Sequence, residues 1–294
     1  MISIVIPTFN RAKVIKRTLD SIYVQKYEDW ECLIVDDYSS DDTEETVKHY
    51  TKKDSRFLFI KNTRKKGAQG ARNTGILAAK GEWIVLFDSD NVMKESFLLE
   101  ISRMINKEYE VINTWSNVLD STTSERLRGF KWVNNGDIHK RLLTGKCYVD
   151  NSSTAIRRSL LFDIGLLAED CPAFQEWDTH LRISKLAKYF TIEKYLVDYY
   201  SGAADSISSD RQKDVKGYIY ILDKFRNMWL REAPFHFMRY CATMKLFLDN
   251  LNEDQRRQYT TSYKEVVGVY KPVVNLLTLV LKFKRKLSIL TYCT

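Results

Sequence analysis

Along the first third of the chain, short β-branched apolar runs alternate with segments of helical period. Residues 2–6, 32–35, 57–60, 84–87 and 111–112 read as strands, and 13–24, 43–52, 71–79 and 95–106 as helices. Strand alternating with helix predicts an α/β fold: a Rossmann-like, mostly parallel central sheet flanked by helices, with right-handed crossovers. From 113 to 209 the pattern loosens, leaving a helix at 177–188 and short strands at 154–156 and 195–199, an elaboration of the same domain. Beyond it nearly every segment has helical period, is rich in aromatics and is broken mainly at Pro234 and Pro272. The expected organisation is one domain at 1–209, with halves 1–112 and 113–209, and a helical region at 210–294.

Composition narrows the partners. The 294 residues suffice for a full core and an appendage. Lys and Arg outnumber Asp and Glu, 46 to 38, and the formal charge of +8 favours an anionic partner: a nucleotide, an acidic lipid surface or nucleic acid. Cys32, Cys147, Cys171, Cys241 and Cys293 form no Cys-x-x-Cys pair and the histidines are dispersed, so neither a disulfide framework nor a zinc site is expected. A reducing cytoplasm fits best. The chain opens straight into a strand, so no signal peptide is expected, and no segment reaches membrane-spanning length without a charge.

Chemistry concentrates in five clusters. Asp88-Ser89-Asp90 follows the apolar run 83–87, at the carboxyl end of a buried strand, where open α/β sheets bind ligands. Two acids there, with no basic neighbour close in sequence, suit a hard divalent cation held against phosphate, or else a turn and a helix cap. Pro7-Thr8-Phe9-Asn10-Arg11 follows the first strand. Phe9 stacking on a base with the Thr8 hydroxyl bonding its edge is one reading; a helix entry with Asn10 as cap and Phe9 in the core is the other. Of Asp36 and Asp37 only one meets the ligand, because successive side chains leave a strand on opposite faces. The run 39–43 beyond them reads as capping, Asp41 with Glu44 resembling a capping box. Residues 65–75 form a basic, glycine-spaced loop entering a helix, where backbone amides and Arg72 make a diphosphate clamp. Neither a Walker loop nor the dinucleotide glycines are present, which removes support for ATP hydrolysis and hydride transfer. In Phe174-Gln175-Glu176-Trp177-Asp178-Thr179-His180-Leu181-Arg182, Glu176 opens a helix whose dipole favours a carboxylate available as base. Asp178 can pair with Arg182 four residues on, which makes it the structural acid, and on spacing alone a capped amphipathic helix with an ion pair accounts for the whole run and is the favoured reading.

Taken in order, "SIVIPTFNR", "LIVDDYSSDDT", "GAQGARNTGI", "GEWIVLFDSDN" and "FQEWDTHLRI" resemble family 2 glycosyltransferases of the GT-A fold over about residues 1 to 210. The resemblance implies a nucleotide-sugar donor and inverting transfer. Pro7, Thr8 and Phe9 would line the base and Asp37 would bond it, typically as uracil. Arg72 would lie near the nucleotide. Asp88, with Ser89, would face the ribose or the metal-bound diphosphate, and Asp90 would ligate Mn²⁺ or Mg²⁺. The acid before the tryptophan, Glu176, would be the catalytic base, with Asp178 as the alternative. Two departures stand out. Asn91 replaces a further acid common after Asp-x-Asp, and 199–208 lacks a histidine that some members use near the metal.

Transfer would then go to a hydroxyl of a saccharide or lipid-linked saccharide in surface-polysaccharide synthesis, in the cytoplasm or on the inner face of the plasma membrane. The acid-free run from Val273 to Leu287 suits an interfacial helix on anionic lipid, or a helix docking on the catalytic domain or a second subunit. Two other functions compete. A sugar nucleotidyltransferase would need a glycine-rich amino-terminal loop where Pro7-Thr8-Phe9-Asn10 stands. A nucleic-acid-binding protein would use the charge and aromatics, but no binding motif appears, so no nucleic-acid partner is expected.

Overall fold

The computed structural model describes residues 1–105, 107–201 and 211–291. It divides into two compact units, one of Met1–Leu142, Cys147–Glu169 and Thr179–Ser206, the other of Leu143–Lys146, Asp170–Asp178 and Ile207–Thr294.

The first unit is built on a nine-stranded sheet. In chain order the elements up to Ser201 run β1 (Ile2–Thr8), α1 (Ile15–Tyr23), β2 (Trp30–Asp36), α2 (Thr43–Lys53), β3 (Phe57–Lys61), α3 (Ala68–Ala78), β4 (Trp83–Leu86), β5 (Val92–Met93), α4 (Phe97–Ser102), β6 (Val111–Asp120), β7 (Arg126–Phe130), α5 (His139–Leu143), β8 (Thr154–Arg157), α6 (Arg158–Asp163), α7 (Gln175–Ile183) and β9 (Tyr189–Ser201). The order is β3-β2-β1-β4-β8-β6-β9-β5, with β7 on β6. Pairing is parallel from β3 through β4. Beyond β4 the sheet is mixed: β8 runs antiparallel to β4 and β6, while β9 is parallel to β6.

Sequence explains the first half directly. β2 is buried along its whole length, as a central parallel strand covered on both faces must be. Ile15, Leu19 and Ile22, spaced for one helix face, join Ile2, Ile4, Ile6 and Ile34 in the core. A Cβ on Gly75 would stand 2.4 Å from Val5 Cγ1 and 3.1 Å from Val35 Cγ2, so α3 lies closer to β1 and β2 than any side chain permits.

Several expectations are corrected. β6 and β9 are far longer than the pattern showed, and β5 and β7 were not foreseen. Past Ile112 the buried face of β6 turns polar: Asn113 accepts from Thr191 Oγ1 at 3.0 Å, and Asn117 donates to Asp198 at 2.8 Å. An apolar alternation therefore could not reveal it. Asn10 is not a helix cap, since α1 starts at Ile15 after Val14. With φ of 52°, Asn10 instead ties the loops after β1 and β2, its amide donating to Ser39 Oγ at 2.9 Å and its Oδ1 accepting from the Ser40 amide at 2.8 Å. The capping box does not form either: α2 starts at Thr43, and Asp42, at the N-cap position, makes no side-chain cap bond. Asp41 accepts from the Ala12 amide at 3.1 Å and the Thr43 amide at 3.0 Å, and Glu44 turns to Lys48 and Lys61.

The second unit is helical: α8 (Arg211–Lys224), α9 (Arg226–Glu232), α10 (Pro234–Asp249), α11 (Glu253–Val267), a 3-10 turn at Gly268–Tyr270 and α12 (Lys271–Thr291). α10 packs against α8, α9, α11 and α12. Proline opens α10, where its missing N–H costs nothing, and Asn252 with Gln255 forms a capping box on α11. Trp177 sits in an aromatic cluster with Phe174, Tyr218, Trp229 and Tyr240.

Candidate active site

Three neighbouring parallel strands end side by side. Thr8 closes β1 opposite Asp36 of β2, the Asp37 amide donates to the Thr8 carbonyl at 2.8 Å, and the Phe87 amide, just past β4, donates to Val5 at 2.9 Å. One sheet edge thus carries Pro7-Thr8-Phe9, Asp36-Asp37 and Asp88-Ser89-Asp90.

The two aspartates after β2 diverge as the strand pleat requires. Asp36 is fully buried and takes the Lys61 ammonium at 3.0 Å and the Ser39 amide. Asp37 accepts from Asn62 Nδ2 and from the Gly67 amide, both at 2.7 Å, and so fixes the glycine-spaced loop to the sheet edge. Phe9 is 45% exposed, with the Lys66 ammonium 4.9 Å from its ring centroid, which rules out the core reading. Thr8 is buried, yet its hydroxyl makes no hydrogen bond with any described residue.

Arg72, buried on α3, donates to Gln69 Oε1 at 2.8 Å and to Asp88 Oδ1 at 2.6 Å. Asp88 therefore has a basic partner after all, supplied by the crossover helix that opens at the same edge and invisible from sequence neighbours. Gln69 Nε2 is buried and lacks a hydrogen-bond partner among the described residues. Burial, and then the Asp88 carboxylate, push the Asp90 carboxyl above its usual range, against the lowering influence of Arg11 and Arg17. Arg17 also donates to the Asp90 carbonyl at 2.9 Å and lies over Tyr200. Ser89 is buried, its carbonyl accepting from Thr18 at 3.0 Å.

Asn91 is structural: its amide donates to Ser152 Oγ at 3.0 Å, and the Asp88 amide reaches the same oxygen at 3.1 Å. The Ser152 segment was not singled out from sequence. Asp150 is held by the Ser153 amide and hydroxyl and by the Tyr199 hydroxyl. Burial raises its carboxyl above the usual range, and Asp88 is near enough to add to that.

Asp88 and Asp90 fit a hard cation by donor type. No group of three or more His, Cys, Asp or Glu ligands gathers among the described residues. Two carboxylates are the set on which Mg²⁺ or Mn²⁺ relies when phosphate and water complete its shell. The stretch expected to lack a histidine lies outside the described residues beyond Ser201.

Glu176 and Asp178 occupy the first turn of α7. Within the helical unit Asp178 is fully buried and pairs with the Lys224 ammonium, a partner that spacing did not suggest. Arg182, further along α7, donates to the carbonyls of Ile164 and Leu166, both at 2.7 Å.

The α/β unit and its helical companion define a glycosyltransferase of the GT-A fold. The chain is similar to residues 1–349 of S. aureus TarS, solved with UDP-GlcNAc, at a TM-score of 0.74 and 18% identity over 94% of this chain and 83% of that one. It is also similar to the mannosyltransferase PcManGT of Pyrobaculum calidifontis, solved with GDP-Man and Mn²⁺, at a TM-score of 0.57 and 17% identity over 95% and 83%. The model of Glycosyl transferase family 2 matches residues 3–165, more than half of the sequence, and the chain belongs to that family. Among curated relatives, the UDP-Glc:alpha-D-GlcNAc-diphosphoundecaprenol beta-1,3-glucosyltransferase WfgD of Escherichia coli is 28% identical over 236 residues, 76% of this chain and 86% of the relative.

Proposed function

We propose that this glycosyltransferase moves a sugar from a UDP-sugar to a hydroxyl of a lipid-linked saccharide, with inversion, at the inner face of the membrane in surface-polysaccharide synthesis. The observation that carries this reading is the shared edge of β1, β2 and β4, where Thr8, Asp37, Arg72, Asp88 and Asp90 gather. The E. coli relative, named for a UDP-Glc donor, a diphosphoundecaprenol acceptor and a beta product, supports the donor, acceptor and stereochemistry.

In this reading Phe9 stacks on the base, the Thr8 hydroxyl and Asp37 bond its edge, and Pro7 and Ser89 close the site around the nucleotide. Asp90, with Asp88, holds Mn²⁺ or Mg²⁺; when bound, the cation supplies positive charge against the diphosphate as it leaves. Arg72 adds a guanidinium on the same side. Glu176 accepts the proton of the acceptor hydroxyl as that oxygen bonds the anomeric carbon and the bond to the diphosphate breaks, so UDP departs and one attack inverts the centre. Asp178, tied to Lys224, is the positioning acid of that helix turn.

The test is a donor screen with Mn²⁺ and polyprenyl-diphosphate-linked saccharides, reading nucleotide diphosphate release and the anomeric configuration of the product. A β product from a UDP-sugar is expected, with Glu176→Gln slowed by about 10²- to 10⁴-fold while UDP binding persists. An α product, or native turnover by Glu176→Gln, sinks the assignment.

A further inference from the structure

α12 buries one face and leaves the opposite one to solvent. Val274 and Thr278 are buried, and α12 packs on α10. Val273, Leu276, Leu279 and Val280 are 44%, 63%, 56% and 45% exposed. At 3.6 residues per turn these four fall in one arc of about 120°, diametrically opposite the buried pair. In sequence, Phe283, Leu287 and Leu290 continue the same three-to-four spacing. Val269, in the turn before the helix, is exposed as well. A solvent-facing helix stripe is ordinarily polar, so an apolar one asks for an occupant.

Charge selects that occupant. Residues 271–291 hold Lys271, Lys282, Lys284, Arg285 and Lys286 and no acid. Lys282 is engaged by Asp249 of α10 at 2.9 Å; in sequence, at the same period, Lys284 and Lys286 border the apolar arc on its two sides and Arg285 falls opposite it. A second copy docking by this face would set like charge against like charge. No helix of the described residues is long and apolar enough to cross a membrane, so an apolar stripe beside a basic run is suited to lie in the headgroup region.

We propose that the outward face of α12 docks this protein on an anionic phospholipid bilayer, the apolar stripe entering the headgroup boundary and Lys284 and Lys286, which border it in the helical period, pairing with lipid phosphates. The surface lies on an element separate from the nucleotide edge, and its occupancy is measured without substrate. It can therefore fail while the transferase reading stands, and the reverse.

The experiment is flotation of the full chain with phosphatidylcholine vesicles and with mixed phosphatidylcholine–phosphatidylglycerol vesicles, at low and high salt. The native chain should float only with the anionic vesicles and be released by salt. Lys284→Gln and Lys286→Gln should each weaken partitioning about fivefold. Leu276→Glu with Val280→Glu should abolish flotation while the circular dichroism melt and nucleotide diphosphate release stay native. Absence of flotation with anionic vesicles, or undiminished flotation of the Leu276→Glu, Val280→Glu variant, overturns the proposal. So does a dimer seen by light scattering that this variant dissociates without any vesicle effect, which assigns the face to a second copy.

Discussion

Replacing Thr8 by valine should stabilise the free enzyme and weaken its hold on nucleotide. Thr8 is 2% exposed at the end of β1, and its hydroxyl finds no partner among the described residues. A buried hydroxyl left unpaired costs about 1–3 kcal/mol, while an apolar group of the same shape is neutral or stabilising. Valine keeps the β-branch and nearly the same volume, so the strand and the Asp37 amide bond to the Thr8 carbonyl are undisturbed. A gain of about 1 kcal/mol in urea denaturation without nucleotide follows. If the hydroxyl is held for the base, its net hydrogen bond of about 0.5–1.5 kcal/mol disappears from binding, and UDP affinity by titration calorimetry falls about twofold to twelvefold. The two effects have opposite signs, which a general packing defect cannot produce. A variant that is less stable and binds UDP normally would refute the reasoning.

At the metal site, Asp90→Asn should raise the Mn²⁺ concentration needed for half-maximal donor turnover at least about tenfold; an unchanged requirement in a Mn²⁺ titration removes Asp90 from the ligand set. A methyl at Gly70 would stand 1.8 Å from the Lys65 carbonyl oxygen, so Gly70→Ala must displace the loop that Asp37 holds through the Gly67 amide. It should cost at least about 2 kcal/mol in urea denaturation and weaken UDP binding together with stability; loss of one without the other would separate loop from site. His180 is fully buried against the Tyr189 hydroxyl at 3.0 Å, and burial pushes its imidazole down to about 3. The unfolded chain takes up that proton near pH 6.5. The stabilising difference is therefore whole above about pH 6.5 and declines by roughly 1.4 kcal/mol per pH unit as pH falls towards about 3. His180→Phe should flatten that acid limb in denaturation curves; limbs of equal slope would contradict the buried neutral imidazole.

What could be read from the sequence follows the chemistry of each buried face. β1, β2 and β4 carry apolar runs that stood out, and with them the edge where Thr8 ends β1 and Asp37 and Asp88 follow β2 and β4. β6 and β9 bury Asn113, Thr114, Ser116, Thr191 and Asp198 instead, and a pattern method sees only their apolar fragments. The same cause hid Asp150 and Ser152, whose small polar run mimics a surface turn although it is buried beside the Asp88 amide. Cross-element partners were equally invisible. Nothing in the spacing ties Arg72 to Asp88, Asn62 to Asp37 or Lys224 to Asp178, since each pair is closed by the fold. The capping expectations failed for a related reason: Asn10 bonds the Ser40 amide and Asp41 the Ala12 amide across the two loops, and a local motif cannot weigh a partner about thirty residues away.

These partners also divide the acids by task. Taking an ionised carboxylate out of water costs several kcal/mol, and a cation in direct contact is the usual compensation. Asp36 receives Lys61, Asp88 receives Arg72 and Asp178 receives Lys224, in each case a base from a different element. Each compensated acid stands within two residues of another that the proposed chemistry uses: Asp37, Asp90 and Glu176. Asp37 is served by two neutral donors that still leave lone pairs for a base. Asp90 keeps a carboxyl pushed up by burial and by Asp88, the condition in which a cation gains most by binding. Each paired acid thus fixes its own segment, the strand ends at Asp36 and Asp88 and the first turn of α7 at Asp178. It follows that neutralising Asp36 or Asp178 should be felt chiefly as stability, and neutralising Asp37, Asp90 or Glu176 chiefly as binding or turnover.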